Sequence, residues 1–195
     1  MSINKDNKSV PINTQTVTVS VEDIKKIIKI RRIEEGDFED LRNLDIELFG
    51  WGPRTNYYRS LLDSNLSCVA VSTKTNKIVG ECTSRLEMYQ DWKGNYKLKG
   101  YIMRLGVKKE YRHLGIGYNL LKKIVNTLLY QTTVSYVYLN TQANNTRAVT
   151  FYNRFGFAIV EMKKNMYKRT QPEAPDGYEL VYYPAEQIGI KLSIN

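Results

Sequence analysis

Two periods of hydrophobicity alternate along this chain, and the points where one gives way to the other mark out strands and helices. Runs from Ile27 to Ile33, Leu66 to Ser72, Ile78 to Leu86 and Tyr96 to Val107 predict strands. Thr73-Lys74-Thr75-Asn76-Lys77 and Asp91-Trp92-Lys93-Gly94-Asn95 separate the last three with turn chemistry. Phe38, Leu41, Leu44, Ile46 and Leu48 lie on a helical pattern behind Gly36-Asp37, with Asp37 as the expected cap. The segment Phe49-Gly50-Trp51-Gly52-Pro53 interrupts that helix, and Asn56 to Leu62 resumes it as a short second one. The second half reads as a helix from Gly115 to Tyr130, a strand from Tyr136 to Thr141 and a helix from Asn145 to Phe155. Strands from Phe157 to Tyr167 and Tyr178 to Tyr183 complete it.

Residues 1–26 stand apart. They are rich in Asn, Ser, Thr and Lys, with one alternating patch at Thr16-Val17-Thr18-Val19-Ser20, and read as a mobile extension. The expected organisation is that extension, one domain over 27–184, and a tail over 185–195. At 195 residues the chain can bury a sizeable core without disulfides. Cys68 and Cys82 lack metal-ligand spacing and there is a single histidine, so they read as reduced core thiols and no metal is expected.

The 29 basic and 20 acidic residues give a net charge of +9, which favours an anionic partner. The cations come in pairs, Lys25-Lys26, Lys122-Lys123, Lys163-Lys164 and Lys168-Arg169, rather than in one tract, and no nucleic-acid recognition motif accompanies them. No apolar run reaches membrane-spanning length. The amino end has neither the apolar core of a secretory signal nor the arginines of a transit peptide, and Ser2 stands where myristoylation needs glycine. A cytoplasmic protein, present in the nucleus as well, is the expectation.

Arg112-His113-Leu114-Gly115-Ile116-Gly117 follows a strand and opens a helix. Glycines there let backbone N–H groups approach an anion, the first helical turn adds unpaired donors and a positive dipole end, and Arg112 adds a charge. The spacing is neither G-x-G-x-x-G nor a Gly-Lys-Ser/Thr phosphate loop. It is similar to the acetyl-CoA loop of GNAT-type acetyltransferases. A second signature follows, Asn145-x-x-Ala148-x-x-Phe151-Tyr152-x-x-x-Gly156-Phe157, a short helix started by Asn145 and stopped by Gly156. With Tyr101-Ile102-Met103-Arg104-Leu105-Gly106, Tyr138-Leu139-Asn140-Thr141-Gln142 and Phe155 to Arg169, the whole resembles the NatE branch of GNAT N-terminal acetyltransferases from about Ile30 to Tyr183.

The resemblance implies a single α/β GNAT domain with a mixed, mostly antiparallel sheet flanked by helices. It implies acetyl-CoA as cosubstrate, protein N-termini as acceptors with Met followed by a hydrophobic residue as the default, and NatA-type subunits and the ribosome as partners. It assigns cofactor contacts to Leu105, Gly106, Val107, Arg112, His113, Leu114, Gly115, Ile116, Gly117, Tyr118, Asn145 and Tyr152. Tyr101 becomes the catalytic tyrosine, Tyr152 the acid for the leaving thiolate, and Phe49, Trp51, Met103, Met166 and Tyr167 the acceptor site. A strict period of two would put Tyr101, Met103 and Leu105 on one face of their strand and Ile102, Arg104 and Gly106 on the other.

The chain departs from the family at several of these positions. Asn140 stands where the family has an active-site histidine, and His113 lies in the phosphate loop instead. Asn140 takes no proton near neutral pH but can orient a water. An α-amine with a pKa of about 7.7–8.0 costs only about 1 kcal/mol to hold neutral at pH 7, against about 4.6 kcal/mol for a lysine near 10.4. A protein N-terminus therefore tolerates a weak base better. Gly50 and Trp51 replace a proline and a valine of the family, and Met166 replaces a tyrosine. One alternative is a GNAT acting on another amine, a lysine, polyamine or small molecule, which would want acidic residues around the acceptor groove; the acceptor segments carry none by this reading. Another is a low-activity or non-catalytic subunit of a NatA-type complex.

Overall fold

The computed structural model describes residues 26–62 and 65–184. The extension before Lys26, with its alternating patch, and the tail over 185–195 lie outside them. Seven strands form one sheet: β1 (Ile28–Arg32), β2 (Ser67–Ser72), β3 (Ile78–Gln90), β4 (Tyr96–Val107), β5 (Val134–Gln142), β6 (Ala158–Lys163) and β7 (Gly177–Tyr182), in the order β1-β2-β3-β4-β5-β7-β6. All neighbours are antiparallel except β4 and β5. Among the described residues, four α-helices pack on it: α1 (Phe38–Phe49), α2 (Thr55–Ser60), α3 (Ile116–Gln131) and α4 (Thr146–Phe155).

The core lies in two layers. On one face α3 buries Ile116, Leu120, Leu121, Ile124, Val125 and Leu128, one stripe at helical spacing, against Cys68, Val79, Cys82, Ile102 and Val137. On the other, Leu41 and Leu44 of α1 and Tyr58 of α2 close over Val69, Val71 and Ile78. Cys68 and Cys82 are buried, free and opposite one another in the sheet.

Local chemistry explains where several elements end. Asn145 caps α4 by accepting from the Ala148 N–H at 3.1 Å, and Gly156, left-handed at φ +117°, terminates it. Asp37 behaves otherwise than as the expected helix cap. Its carboxylate takes Arg31 at 2.6 and 2.8 Å and the Glu34 N–H at 2.8 Å, so it braces the turn before α1 against β1. The strand read as far as Tyr167 stops at Lys163, because Asn165 turns left-handed at φ +58° and its N–H bonds the Asp176 carboxylate.

The strict alternation along β4 fails at a β-bulge. Thr83 faces Arg104 while Ser84 faces Ile102, which leaves Met103 as the extra residue. Ile102, Leu105 and Val107 therefore pack on the α3 side, and Met103 joins the α1 layer, where Arg104 also reaches Asp45. Leu105 does not share a face with Met103. The bulge puts two consecutive side chains, Met103 and Arg104, on the same surface.

Candidate active site

Pairing between β4 and β5 runs through Leu98–Val134, Gly100–Val137 and Tyr101–Tyr138 and stops there. From that point β4 follows β3 as far as the Gly80–Val107 pair, while β5 follows β7 to Gln142–Gly177. The two parallel strands part like a V. A cleft of about 720 Å³ enters the opening, walled by Leu105, Gly106 and Val107 of β4, Arg112, His113 and residues 115–118 at the start of α3, and Asn145, Phe151 and Tyr152 beside α4. Leu114 is not part of that wall; its side chain packs against the main core. Ile116 also buries its side chain, so it meets the cleft with backbone.

The cleft is built to receive negative charge. Gly115 is left-handed at φ +75°, a conformation that costs an L side chain roughly 1–2 kcal/mol, and it turns the chain into α3. The first intrahelical bond runs from Asn119 N to the Gly115 carbonyl at 3.0 Å, so the N–H groups of Ile116, Gly117 and Tyr118 have no acceptor within the helix. Arg112 donates its Nε–H to the Val107 carbonyl at 2.9 Å, which holds the guanidinium at the wall. His113 is left-handed at φ +64°, and its Nε2 lies 2.9 Å from Nη2 of Arg147. Arginine can only donate, so that contact uses the imidazole lone pair.

Arg147 and Arg154 line the cleft and were missed in the sequence. A signal for Arg147 was present: it is a cation in the first turn of α4, where the helix dipole disfavours one and a nearby anion would compensate.

Tyr152 rises from α4 on the same side, its ring edge-on to Phe151 and Phe157 at 5.3 and 5.8 Å. Burial pushes its phenol well above the ordinary tyrosine range, so it holds its proton at neutral pH. Tyr101 lies across the sheet from it. Its ring stacks on Tyr138 at 4.7 Å, with the Arg85 guanidinium 5.2 Å from the centroid. Tyr138 donates to Glu87 and carries Lys99 over its ring at 4.4 Å. Asn140 follows on the same face of β5, with its Oδ1 buried and lacking a hydrogen-bond partner.

Two acids reach this face contrary to the sequence reading. Glu87 is bound by Arg85 at 2.6 Å and by Tyr138, and Glu179, opposite Asn140 in the register, is bound by Lys163. Both carboxylates are already neutralised by cations of their own.

The residues expected on the acceptor side come from three places. Phe49 ends α1 and reaches the cleft, and Gly106 beside it lets α1 approach, since a methyl there would stand 2.4 Å from Leu48 Cδ1. Trp51 lies outside the cleft wall, against Arg104. Met166 and Tyr167 sit in the turn between β6 and β7 over Gly177, where a methyl would meet them at 3.0 and 2.8 Å. Burial, and then Tyr101, push the Tyr167 phenol up to about 12. Among the described residues no three His, Cys, Asp or Glu side chains gather as a metal site would need. No described helix is long and apolar enough to cross a membrane.

A parallel strand pair split beside a glycine-led helix, with free amide donors and arginines lining the cleft, fits an acyl-CoA-dependent transferase. The chain belongs to the Acetyltransferase (GNAT) family, whose model matches residues 29–157. It is similar to N-alpha-acetyltransferase 50 of Danio rerio, 35% identical over 147 residues, or 72% of this chain and 83% of that protein. It is also similar to the probable N-acetyltransferase san of Drosophila melanogaster, 27% identical over 145 residues covering 74% and 76%. Among solved structures, Arabidopsis thaliana Naa50 in complex with the bisubstrate analogue CoA-Ac-MVNAL superposes with a TM-score of 0.67 at 28% identity, covering 80% of this chain and 99% of that one.

Proposed function

We propose that this protein transfers the acetyl group of acetyl-CoA to the α-amine of protein N-termini, with Met followed by a hydrophobic residue as the preferred start. One observation carries the reading: the split between β4 and β5 joins an anion-binding cleft on the α3 side to a separate face bearing Tyr101 and Asn140. Cofactor and amine can then approach one carbonyl from opposite sides of the sheet. The relatives named for N-alpha-acetylation, and the Met-initiated analogue bound by the Arabidopsis protein, support the same choice.

The residues fit the cofactor by chemistry. The free N–H groups of α3, Arg112, Arg147 and Arg154 suit its phosphates, and Leu105, Val107 and Phe151 suit its uncharged arm. Acetyl-CoA supplies an activated acetyl thioester. Tyr152, kept protonated by burial, is the acid available to a departing sulfur. On the opposite face the Oδ1 of Asn140 is an acceptor for an N–H or for a water, and Tyr101 stands beside it through the Tyr101–Tyr138 pair. Neither removes a proton as a histidine would, so the enzyme relies on the modest cost of a neutral α-amine.

We further propose that it works in the cytoplasm and nucleus within a NatA-type assembly at the ribosome. Exposed Lys122 and Lys123 on α3 and Lys164, Lys168 and Arg169 after β6 support contact with an anionic surface. Incubating the purified protein with labelled acetyl-CoA and a library of free-N-terminus peptides, with lysine-only peptides alongside, tests the central reading. Label should enter Met-initiated peptides at their amino ends. Label on lysines alone would refute the assignment, and coenzyme A binding with no turnover on any amine would favour the non-catalytic subunit.

A further inference from the structure

Beneath the acceptor face lies a group of charged side chains that the mechanism leaves unused. Asp45 of α1 and Glu81 of β3 both have zero exposure. Asp45 accepts from the Tyr58 phenol at 2.7 Å and pairs with Arg104, whereas neither oxygen of Glu81 has a hydrogen-bond partner. Burial, then the adjacent Asp45 carboxylate, push Glu81 well above the usual carboxylate range against the pull of Arg104. With Glu81 holding its proton the three groups sum to zero charge, which an interior site requires.

Arg104 is the hinge between this group and the surface. The bulge at Met103 turns it to the acceptor side, where its guanidinium lies 4.5 Å from the ring centroid of Trp51, 5.0 Å from Phe49 and 5.6 Å from Tyr57. Phe49 and Trp51 flank Gly50, a left-handed residue with open space around it, in a stretch that has no regular structure before α2. Pro53 stiffens only the far end of that stretch; beside Gly50 it is the planar guanidinium that holds the two rings.

We propose that Arg104 is the positioning residue that fixes the Phe49–Trp51 strap beside the acceptor groove and sets which N-terminal side chain is accepted, its charge being taken up by Asp45. The inference rests on the N-terminal acetylation reading and names its selectivity. An arginine so neutralised presents ring faces and Met103 to the acceptor, which suits apolar side chains. An arginine released from Asp45 would suit acidic ones.

The test compares Met-Leu and Met-Glu peptides on the parent and on Arg104→Gln, Arg104→Lys and Asp45→Asn. Coenzyme A affinity is measured by calorimetry, and Trp51 emission is read in a Trp92→Phe background. For Arg104→Gln, the Met-Leu KM should rise roughly tenfold with kcat and coenzyme A affinity little changed, the split expected of lost acceptor binding. Arg104→Lys keeps the charge for folding but cannot lie flat on three rings, so its KM should stay raised and its Trp51 emission should shift to the red. Asp45→Asn, made in a Glu81→Gln background so that Glu81 cannot ionise against Arg104 in its place, should move preference toward Met-Glu by about tenfold, the range of one charge pair in a partly enclosed site. A parental KM in Arg104→Lys, an unchanged peptide ratio in Asp45→Asn on that background, or a parallel fall in coenzyme A affinity would each overturn the proposal. A parent that binds coenzyme A yet acetylates no peptide would defeat the functional reading instead; the strap would then stand or fall on Trp51 emission in the Arg104 variants.

Discussion

The cleft on the α3 side, proposed for the cofactor, and the separate face proposed for the acceptor are walled in different ways. The cofactor wall comes from one stretch, Leu105 to Tyr118, and one helix beginning at Asn145, and much of what it offers is backbone: free N–H groups held by the left-handed turn at Gly115. The acceptor wall is side chain throughout. It draws on Phe49 at the end of α1, Arg104 and Met103 at a bulge, Tyr138 and Asn140 on β5, and Tyr167 in the turn after β6. Backbone sites survive many substitutions provided their glycines remain, whereas a side-chain wall changes with each residue. By the family resemblance, this chain keeps the first and departs in the second at Gly50, Trp51, Asn140 and Met166.

The sharpest way to break the contrast is at Gly115. An aspartate there must adopt φ +75° and places a carboxylate where the proposed cofactor phosphate would lie, so Gly115→Asp should weaken coenzyme A binding more than about 100-fold by calorimetry. Peptide binding should be far less affected. Next comes Tyr152→Phe, which removes the acid but not the ring: kcat should fall by roughly 10²-fold, the lower range for acid–base catalysis, with coenzyme A affinity retained. An unchanged rate would remove Tyr152 from the chemistry.

On the acceptor wall the expected changes are smaller. Asn140→His puts a proton acceptor at the buried, unpartnered position and should raise kcat by about tenfold between pH 7 and 8, with the gain fading below pH 6 as the imidazole becomes charged. The last test concerns stability. Glu81 has a raised folded-state pKa, so its favourable contribution is full below the unfolded value near 4.3 and declines as pH rises toward the folded value, by at most about 1.4 kcal/mol per pH unit. Urea midpoints taken from pH 5 to 8 should fall in the parent, and Glu81→Gln should flatten that slope. Equal slopes would mean that Glu81 is ionised in the folded protein.

How much could be read without coordinates followed the same division. Ile116 to Leu128 announced a buried helical stripe, Asn145 and Gly156 announced the limits of α4, and the glycine loop announced an anion site, since each depends on residues within a turn or two of one another. The bulge at Met103 was hidden, because it exists only when β3 and β4 are paired out of step. Asp37 was misread for a similar reason: Arg31, six residues earlier, competes for the carboxylate that would have capped α1.

By itself, then, the order of residues determined most of the elements and a glycine loop with free N–H donors, which rest on local periodicity and on backbone conformations that particular residues permit, while the single sheet was implied by the family resemblance. Only the folded chain decided that Arg104 pairs with Asp45 and lies against Trp51, or that β4 and β5 part after Tyr101. Those outcomes depend on which distant side chains share a buried volume, where an unpaired charge or polar atom is costly enough to select the arrangement.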